Sequence, residues 1–334
     1  MITRVGTGDQ VLSTLLSRSS ANLRAEVMQR GQEVATGQHA DLAAAVGGDF
    51  SALAAIDHSL ARLRGYAANT SEAGLFTDVM QSALQVVSDA ATDLGGNVLR
   101  GVGLATETGI STLATEASRH FTTAVGALNT RFSERAVFSG VNAEVAPLPD
   151  ADSILSALET VTAGLVTTAD VKAAIDGWFT DPLGFGAMYA GGAGRAEVPI
   201  AQGETADLSV TALDPAIRDT LKGIASVALL GRGLLAGDLT ARTDLAKSAG
   251  EALMTAGESR AQLMARVGTE QARISAAETR NTAEKSALDI ARAGIVSADP
   301  YDAATRLQDL QTRLESLYLV TARLSRLTLT EFLR

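Results

Sequence analysis

Apolar residues recur at helical spacing at both ends of the chain. The N-terminal stripe advances in steps of four and seven residues, which places its members on one face of a helix. Its members are Leu12, Leu16, Leu23, Val27 and Val34. We predict that this helix ends near Thr36–Gly37, because glycine readily takes the left-handed conformation that terminates helices.

The C-terminal stripe alternates steps of three and four residues, which is the pattern of a coiled-coil seam. Its members are Leu307, Leu310, Leu314, Leu317, Thr321 and Leu324, with Leu327 and Phe332 beyond them. A lone helix of this kind is marginal in water and needs an apolar partner. We expect the two terminal helices to pair, and the apolar members of both stripes to form an assembly interface. The alternative is an ordinary core helix.

Helical periodicity also covers most of the chain between the two stripes. One helix is predicted from the N-cap Asp49 to Gly95–Gly96, and another over residues 111–131. Asp214–Pro215 begins a helix that reaches about residue 230, and residues 239–296 form a long helical stretch. Asp299–Pro300 begins the C-terminal helix in the same way.

The middle of the chain has a mixed pattern and holds five of the six prolines. Two short helices are predicted over residues 153–165 and 169–178, and two short strands over residues 196–200 and 206–210. We therefore predict a mainly α protein. Its long N- and C-terminal helical arms pack as a coiled coil or helix bundle, and a small α+β domain is inserted between them. A single continuous domain with a loop-rich middle is the alternative.

The predicted domains follow these patterns. They are an N-terminal coiled-coil segment at 1–45, a helical arm at 46–140, the inserted domain at 141–213, a second helical arm at 214–297 and a C-terminal coiled-coil segment at 298–334. We expect residues 1–40 and 300–334 to be disordered in the free monomer, because their stripes find their full set of partners only on assembly.

Composition and charge narrow the function. The chain has 334 residues, 46% of them hydrophobic, and no cysteine, which excludes disulfides and thiolate chemistry. The net charge is −10, and residues 141–219 alone carry 12 acidic against 3 basic groups. This balance argues against a nucleic-acid partner. No apolar run is long enough for a membrane span, and the N-terminus lacks the pattern of a cleaved signal peptide.

The strongest enzyme-like signal is the GxGxxA match at Gly231–Ala236. A dinucleotide fold needs a second strand after this turn, whereas the following residues are helical. We therefore interpret the segment as a turn between helices. The histidines His58 and His120 lie within helical patterns, and Asp150 and Asp152 are interpreted as solvated loop carboxylates. We expect no catalytic residue, no cofactor and no metal site.

Several segments resemble the bacterial flagellin superfamily. Glu33–Gln38 resembles the turn that closes the first helix of these proteins, and Arg135–Gly140 resembles their exit from the N-terminal arm. Asp299–Leu307 and Thr321–Leu333 resemble their C-terminal helix, and Leu208–Val227 resembles the junction-type members. Within the superfamily, the C-terminal ending is similar to the hook-associated protein 3 branch, found at the hook–filament junction.

The resemblance implies a structural adaptor of the flagellum rather than an enzyme. It implies a homo-oligomeric ring in the axial structure, with hook-associated protein 1 and flagellin as neighbours and an export chaperone as a further partner. It also implies an extracellular location reached through the flagellar type III channel without cleavage, and neither nucleic acid nor membrane as a partner. The alternatives are a flagellin-type filament subunit, or a ligand-binding or enzymatic protein that uses the Gly231–Ala236 turn.

Overall fold

A computed structural model describes the backbone of residues 6–104 and 106–332, and the side chains of residues 11–103 and 106–324. The chain divides into two compact units. Unit 1 comprises residues 1–62 and 283–334, and unit 2 comprises residues 63–282. Each unit is described by itself.

Unit 1 is built from helices. They are α1 (Gly6–Thr36), the one-turn α2 (Leu42–Ala45), the first part of α3 (Ser51–Gly101), the last part of α10 (Gly257–Val296), and α11 (Pro300–Phe332). The predicted start signals are present. The carboxylate of Asp49 accepts from the Ser51 N–H at 2.9 Å, and that of Asp299 accepts from the Tyr301 N–H at 2.8 Å. These carboxylates satisfy N–H groups that have no partner inside the helix.

Unit 2 combines helices with two short hairpins. It holds the rest of α3 and α10, α4 (Glu107–Leu128), α5 (Ala151–Thr162), α6 (Thr168–Thr180), α7 (Phe185–Met188), α8 (Pro215–Ala228) and α9 (Leu239–Thr255). The strands β1 (Arg131–Phe132) and β2 (Arg135–Ala136) form one antiparallel hairpin, and β3 (Val198–Ala201) and β4 (Glu204–Ala206) form the other. The predicted fold class is confirmed: the chain is mainly helical, its terminal helices pack together, and a small insert carries short strands.

The core of unit 2 is continuous across its elements. Phe76 of α3 and Phe121 of α4 are fully buried in the same cluster as Phe185 from residues 141–213. The middle segment therefore contributes to a shared core with the helices on either side of it. The five-part division made from the sequence stays a proposal about layers in an assembly.

Gly95–Gly96 does not end α3, contrary to the prediction. The helix continues to Gly101. A Cβ atom on Gly95 would lie 3.3 Å from the Leu253 Cβ, and one on Gly250 would lie 2.9 Å from the Val98 Cγ1. Glycine therefore serves here to bring α3 and α9 close together.

Two further boundaries also differ from the prediction. The helical stretch 239–296 is divided at Ala256 into α9 and α10. The second strand of the β3–β4 hairpin ends at Ala206 instead of Val210, and residues 207–210 have no regular secondary structure.

The β3–β4 hairpin ties α3 to α10 inside unit 2. The side-chain amide of Asn69 on α3 donates to the carbonyl oxygen of Pro199 at 2.9 Å. The buried amide of Asn281 on α10 donates to the carbonyl oxygen of Ile200, the next residue, at 2.8 Å. Two helices are thus fastened to two successive peptide groups of one strand.

Candidate assembly surface

The terminal helices α1 and α11 pack against each other in opposite directions. Gly37, with φ at +68°, ends α1 as predicted, and its carbonyl oxygen accepts from the Ala298 N–H at 3.0 Å. The His39 N–H donates to the carbonyl oxygen of Val296 at 2.9 Å. These bonds hold the end of α1 beside the start of α11, so the two helices run antiparallel from this point.

The predicted stripes meet in the seam between α1 and α11. Leu310 is 8% exposed and is the most completely covered of the predicted leucines. The other members that are half-buried in unit 1 are Leu16, Leu23, Val27, Leu307, Leu314, Leu317 and Leu324. These leucine and valine side chains serve the pairing of α1 with α11 within one chain.

Two of the predicted interface residues do not join this seam. Leu12 and Val34 are exposed, and Thr321, a polar member of the stripe, is exposed as well. Leu327 and Phe332 lie outside the residues whose side chains the structure describes. That these stripes form an assembly interface stays a prediction.

A second set of apolar side chains is exposed on the two helices, outside the seam. We call it the outer face and define it as Val11, Leu15 and Met28 of α1 with Tyr318, Leu319 and Val320 of α11. Leu319 is 64% exposed and Met28 is 75% exposed. The predicted stripes leave these residues out because each stripe follows one side of its helix. The run Leu317–Val320 was the available signal, since four successive apolar residues occupy every side of a helix with 3.6 residues per turn.

Arg24 and Tyr318 connect the two terminal helices at an exposed position. The Arg24 Nε donates to the Tyr318 hydroxyl at 2.7 Å, and its guanidinium carbon lies 5.5 Å from the centre of the ring. A cation–π contact at an exposed site stabilises by about 0.5–1 kcal/mol. The contact helps to set the register of α1 against α11.

The connection after α1 contains a buried carboxylate. Glu33 is 2% exposed, and its Oε1 accepts from the Ala40 N–H at 3.2 Å while Arg30 donates to its Oε2 at 2.5 Å. Burial by itself disfavours the charged form, but these hydrogen bonds and the charge of Arg30 outweigh it and lower the pKa of Glu33. The folded connection therefore favours the ionised form of Glu33.

The Gly231–Ala236 segment is a turn between two helical elements, as predicted. A 3₁₀ turn covers Leu229–Arg232, and Gly233 follows in the left-handed region with φ at +91°. Asp238 then caps α9 by accepting from the Ala241 N–H at 2.9 Å. The second strand of a dinucleotide fold has no counterpart in this part of unit 2.

Arg232, at the centre of that turn, faces α5. It forms ion pairs with Asp152 and with Glu159, the latter at 3.0 Å, and it also donates to Ser156. Burial opposes the charge of Arg232, but its two carboxylate partners raise its pKa above the usual value. The Arg232 guanidinium therefore links α5 to the turn through these contacts.

The C-terminal quarter of the chain matches the model of a known protein region. Residues 250–333 match the model of the bacterial flagellin C-terminal helical region. The chain carries a flagellin C-terminal region. The resemblance to the flagellin superfamily predicted from the sequence is thereby confirmed for the C-terminal helices, and flagellins are structural proteins rather than enzymes.

Solved structures with the same fold come from flagellar proteins. One is a chain from Vibrio parahaemolyticus assigned as a flagellar hook-associated protein, with 16% identity and a TM-score of 0.52. The match covers 72% of this chain and 95% of that one. Another is FlgL of Bacillus cereus, also at 16% identity, with a TM-score of 0.51, covering 72% of this chain and 100% of that one. At this identity, the likeness concerns the fold.

A comparison with the curated proteins found no match. In the part of the chain that the structure describes, no helix is both long and apolar enough to cross a lipid bilayer. Among the same residues, histidine, aspartate and glutamate side chains form no group of three or more that could hold a metal ion.

Proposed function

We propose that this flagellin-family protein is the adaptor at the hook–filament junction. The observation that carries the proposal is the outer face of the terminal helices. After α1 and α11 have covered each other's stripes, apolar side chains such as Leu319 remain exposed on the opposite sides. Exposed apolar surface of this kind is characteristic of protein–protein contact.

Two observations favour the junction over the filament. The ending Thr321–Leu333 resembles the hook-associated branch, whereas filament flagellins tend to end in a helix rich in glutamine and alanine. In addition, both solved structures reported above are named as hook-associated proteins or as FlgL. The match to the flagellin C-terminal region does not by itself distinguish a junction protein from a filament flagellin, because both kinds of protein share that region.

The proposed arrangement follows the predicted domains. Residues 1–45 and 298–334 form the inner coiled-coil layer, and residues 46–140 and 214–297 form the layer around it. The acidic segment 141–213 projects outward. A net charge concentrated in this segment favours contact with water over burial between subunits.

The partners belong to the proposal as well. Copies of the chain form a ring, with hook-associated protein 1 on one face and flagellin on the other. The chain is exported unfolded through the flagellar type III channel with the help of a chaperone and without cleavage. Its location in this proposal is extracellular.

Immunogold labelling of sheared flagella tests the proposal. The antibody is raised against residues 141–213, and flagella from a strain lacking the gene serve as the control. We expect one cluster of gold where the hook meets the filament. Gold along the whole filament would show instead that this chain is the filament subunit, and absence of gold from intact flagella would reject both roles.

A further inference from the structure

Unit 2 is strongly acidic overall, but two of its arginines lie around a single carboxylate. Residues 63–282 carry 25 aspartate and glutamate residues against 16 lysine and arginine residues, which gives a net charge of −9. Residues 1–62 and 283–334 carry 13 acidic and 12 basic residues and are nearly neutral. A local excess of positive charge on unit 2 therefore stands out from its surroundings.

This excess lies where two arginines share one carboxylate. We call the site the arginine pair and define it as Arg135 and Arg195 around Glu72. The Glu72 Oε1 lies 3.4 Å from the Arg135 Nη1 and 4.0 Å from the Arg195 Nη2. Within the described residues, the Arg195 guanidinium donates no hydrogen bond, and this long ion pair is its contact with a carboxylate. One carboxylate thus neutralises half of the charge of the two guanidinium groups.

The Arg195 guanidinium is held firmly in place. Its central carbon lies 4.5 Å from the centre of the Phe76 ring, and its side chain is only 14% exposed. Burial, together with the neighbouring charge of Arg135, lowers the pKa of Arg195, and Glu72 compensates only in part. A further anion at this place would relieve the repulsion between the two guanidinium groups.

The loop that follows Arg135 and the loop that precedes Arg195 are interlocked. The Val141 N–H donates to the carbonyl oxygen of Ala193 at 2.9 Å, and the Gly192 N–H donates to that of Ser139 at 2.9 Å. A Cβ atom on Gly140 would lie 2.0 Å from the Ala193 oxygen, so the two loops approach as closely as glycine allows. The backbone that positions the arginine pair is therefore fixed before a partner binds, which lowers the entropic cost of binding.

We propose that the arginine pair binds a carboxylate side chain presented by unit 2 of a neighbouring copy of this chain. The inference rests on the proposed function insofar as it needs copies packed side by side. Carboxylate is the anion that guanidinium groups recognise with two parallel hydrogen bonds. The acidic excess of unit 2 makes a second copy the partner that fits by charge. The exposed side chains of Arg135 (49%) and Glu72 (58%) leave the site open to it.

Incorporation of a matched pair of variants into the axial structure tests the proposal. Arg135→Gln removes a charge from the arginine pair, and Arg64→Gln removes one from an exposed position on the same helix as Glu72. We expect the amount of Arg135→Gln protein in isolated hook–filament structures to fall about tenfold or more, which is the effect of one charge-assisted hydrogen bond. Arg64→Gln is expected to incorporate like the wild type.

A cross-link identifies the partner. Because the chain has no cysteine, Ala68→Cys, at an exposed position one helical turn before Glu72, provides a single thiol for a photoactivatable cross-linker and leaves both arginines in place. A covalent dimer of this chain in isolated axial structures supports the proposal, whereas a product with a different protein, or no product, overturns it. Equal incorporation of wild type and Arg135→Gln would also overturn it while leaving the proposed function intact. Absence of the wild-type chain from the axial structure would contradict the proposed function itself.

Discussion

The Nη1 of Arg260 donates a hydrogen bond to the backbone carbonyl oxygen of Leu253 at 2.9 Å, in the interior of unit 2. Arg260 is 5% exposed, no carboxylate in the described residues forms an ion pair with it, and burial lowers its pKa. Its partner is a carbonyl in the last turn of α9, where the helix dipole favours a positive charge. The break between α9 and α10 is thus stabilised by a side chain from the second helix.

Arg260→Ala is therefore expected to destabilise unit 2. The substitution leaves the Leu253 carbonyl oxygen without its buried donor, and it removes the packing of the aliphatic stem. We expect the free energy of unfolding in urea to fall by about 1–3 kcal/mol. Arg273→Ala, on the same helix but with a 47% exposed side chain, is the control, and its effect is expected to stay within about 0.5 kcal/mol. Equal effects of the two variants would contradict this explanation of the break.

Substitutions can test the contributions of the outer face and of the seam separately. Leu319→Asp places a charge on the outer face and is expected to prevent incorporation into the axial structure while the helix content of the free chain stays unchanged. Leu310→Asp buries a charge between α1 and α11 and is expected to disrupt their pairing before any assembly. Circular dichroism of the free chain and immunoblots of isolated flagella measure the two effects. Normal incorporation of Leu319→Asp would exclude the outer face from assembly.

The terminal helices are expected to gain protection only on assembly. The α1–α11 pair in unit 1 has one seam and leaves its outer sides in water, so its opening requires little free energy. We expect amide hydrogens of Gly6–Thr36 and Pro300–Phe332 to exchange quickly in the free monomer, and those of α8 to exchange slowly. In assembled flagella, both groups should be protected. Full protection of α1 in a monodisperse sample would contradict folding coupled to assembly.

The connection after α1 is expected to weaken in acid. Because the folded state lowers the pKa of Glu33 below its unfolded value, ionised Glu33 stabilises the connection above about pH 4.5. This contribution is lost as the pH falls through the lowered pKa, since the carboxyl must then be protonated. Amide exchange at Ala40, corrected for the intrinsic rate at each pH, measures the effect. Glu33→Gln should start less protected and should lack this pH dependence.

The sequence predicted the terminal helices well because their patterns are long and periodic. Leu307, Leu310 and Leu314 lie in the seam as their spacing indicated, and Asp299–Pro300 begins α11. The end of α3 was predicted wrongly because a glycine has two physical uses. The sequence does not reveal whether Gly95 ends a helix or allows α9 to approach, and only the position of Leu253 decides between them.

The candidate surface was predicted only in part, for a similar reason. A stripe such as Leu16–Leu23 indicates that a helix face is covered, but it does not say whether the same chain or another one covers it. Here α11 covers much of it, and the outer face is what remains. The arginine pair could not be predicted either, because Glu72, Arg135 and Arg195 are far apart in sequence and meet only through folding.

The hydrogen bonds from the Asn69 and Asn281 side chains to successive carbonyl groups of β3 also affect the chain before it assembles. Unit 2 begins at residue 63 and ends at residue 282, and both amides lie within a few residues of these limits. Unfolding that begins at the outer ends of α3 and α10 can therefore be halted at these two hydrogen bonds. After export and refolding, an unassembled subunit can then keep its middle folded and resistant to proteases until its two ends meet neighbouring subunits.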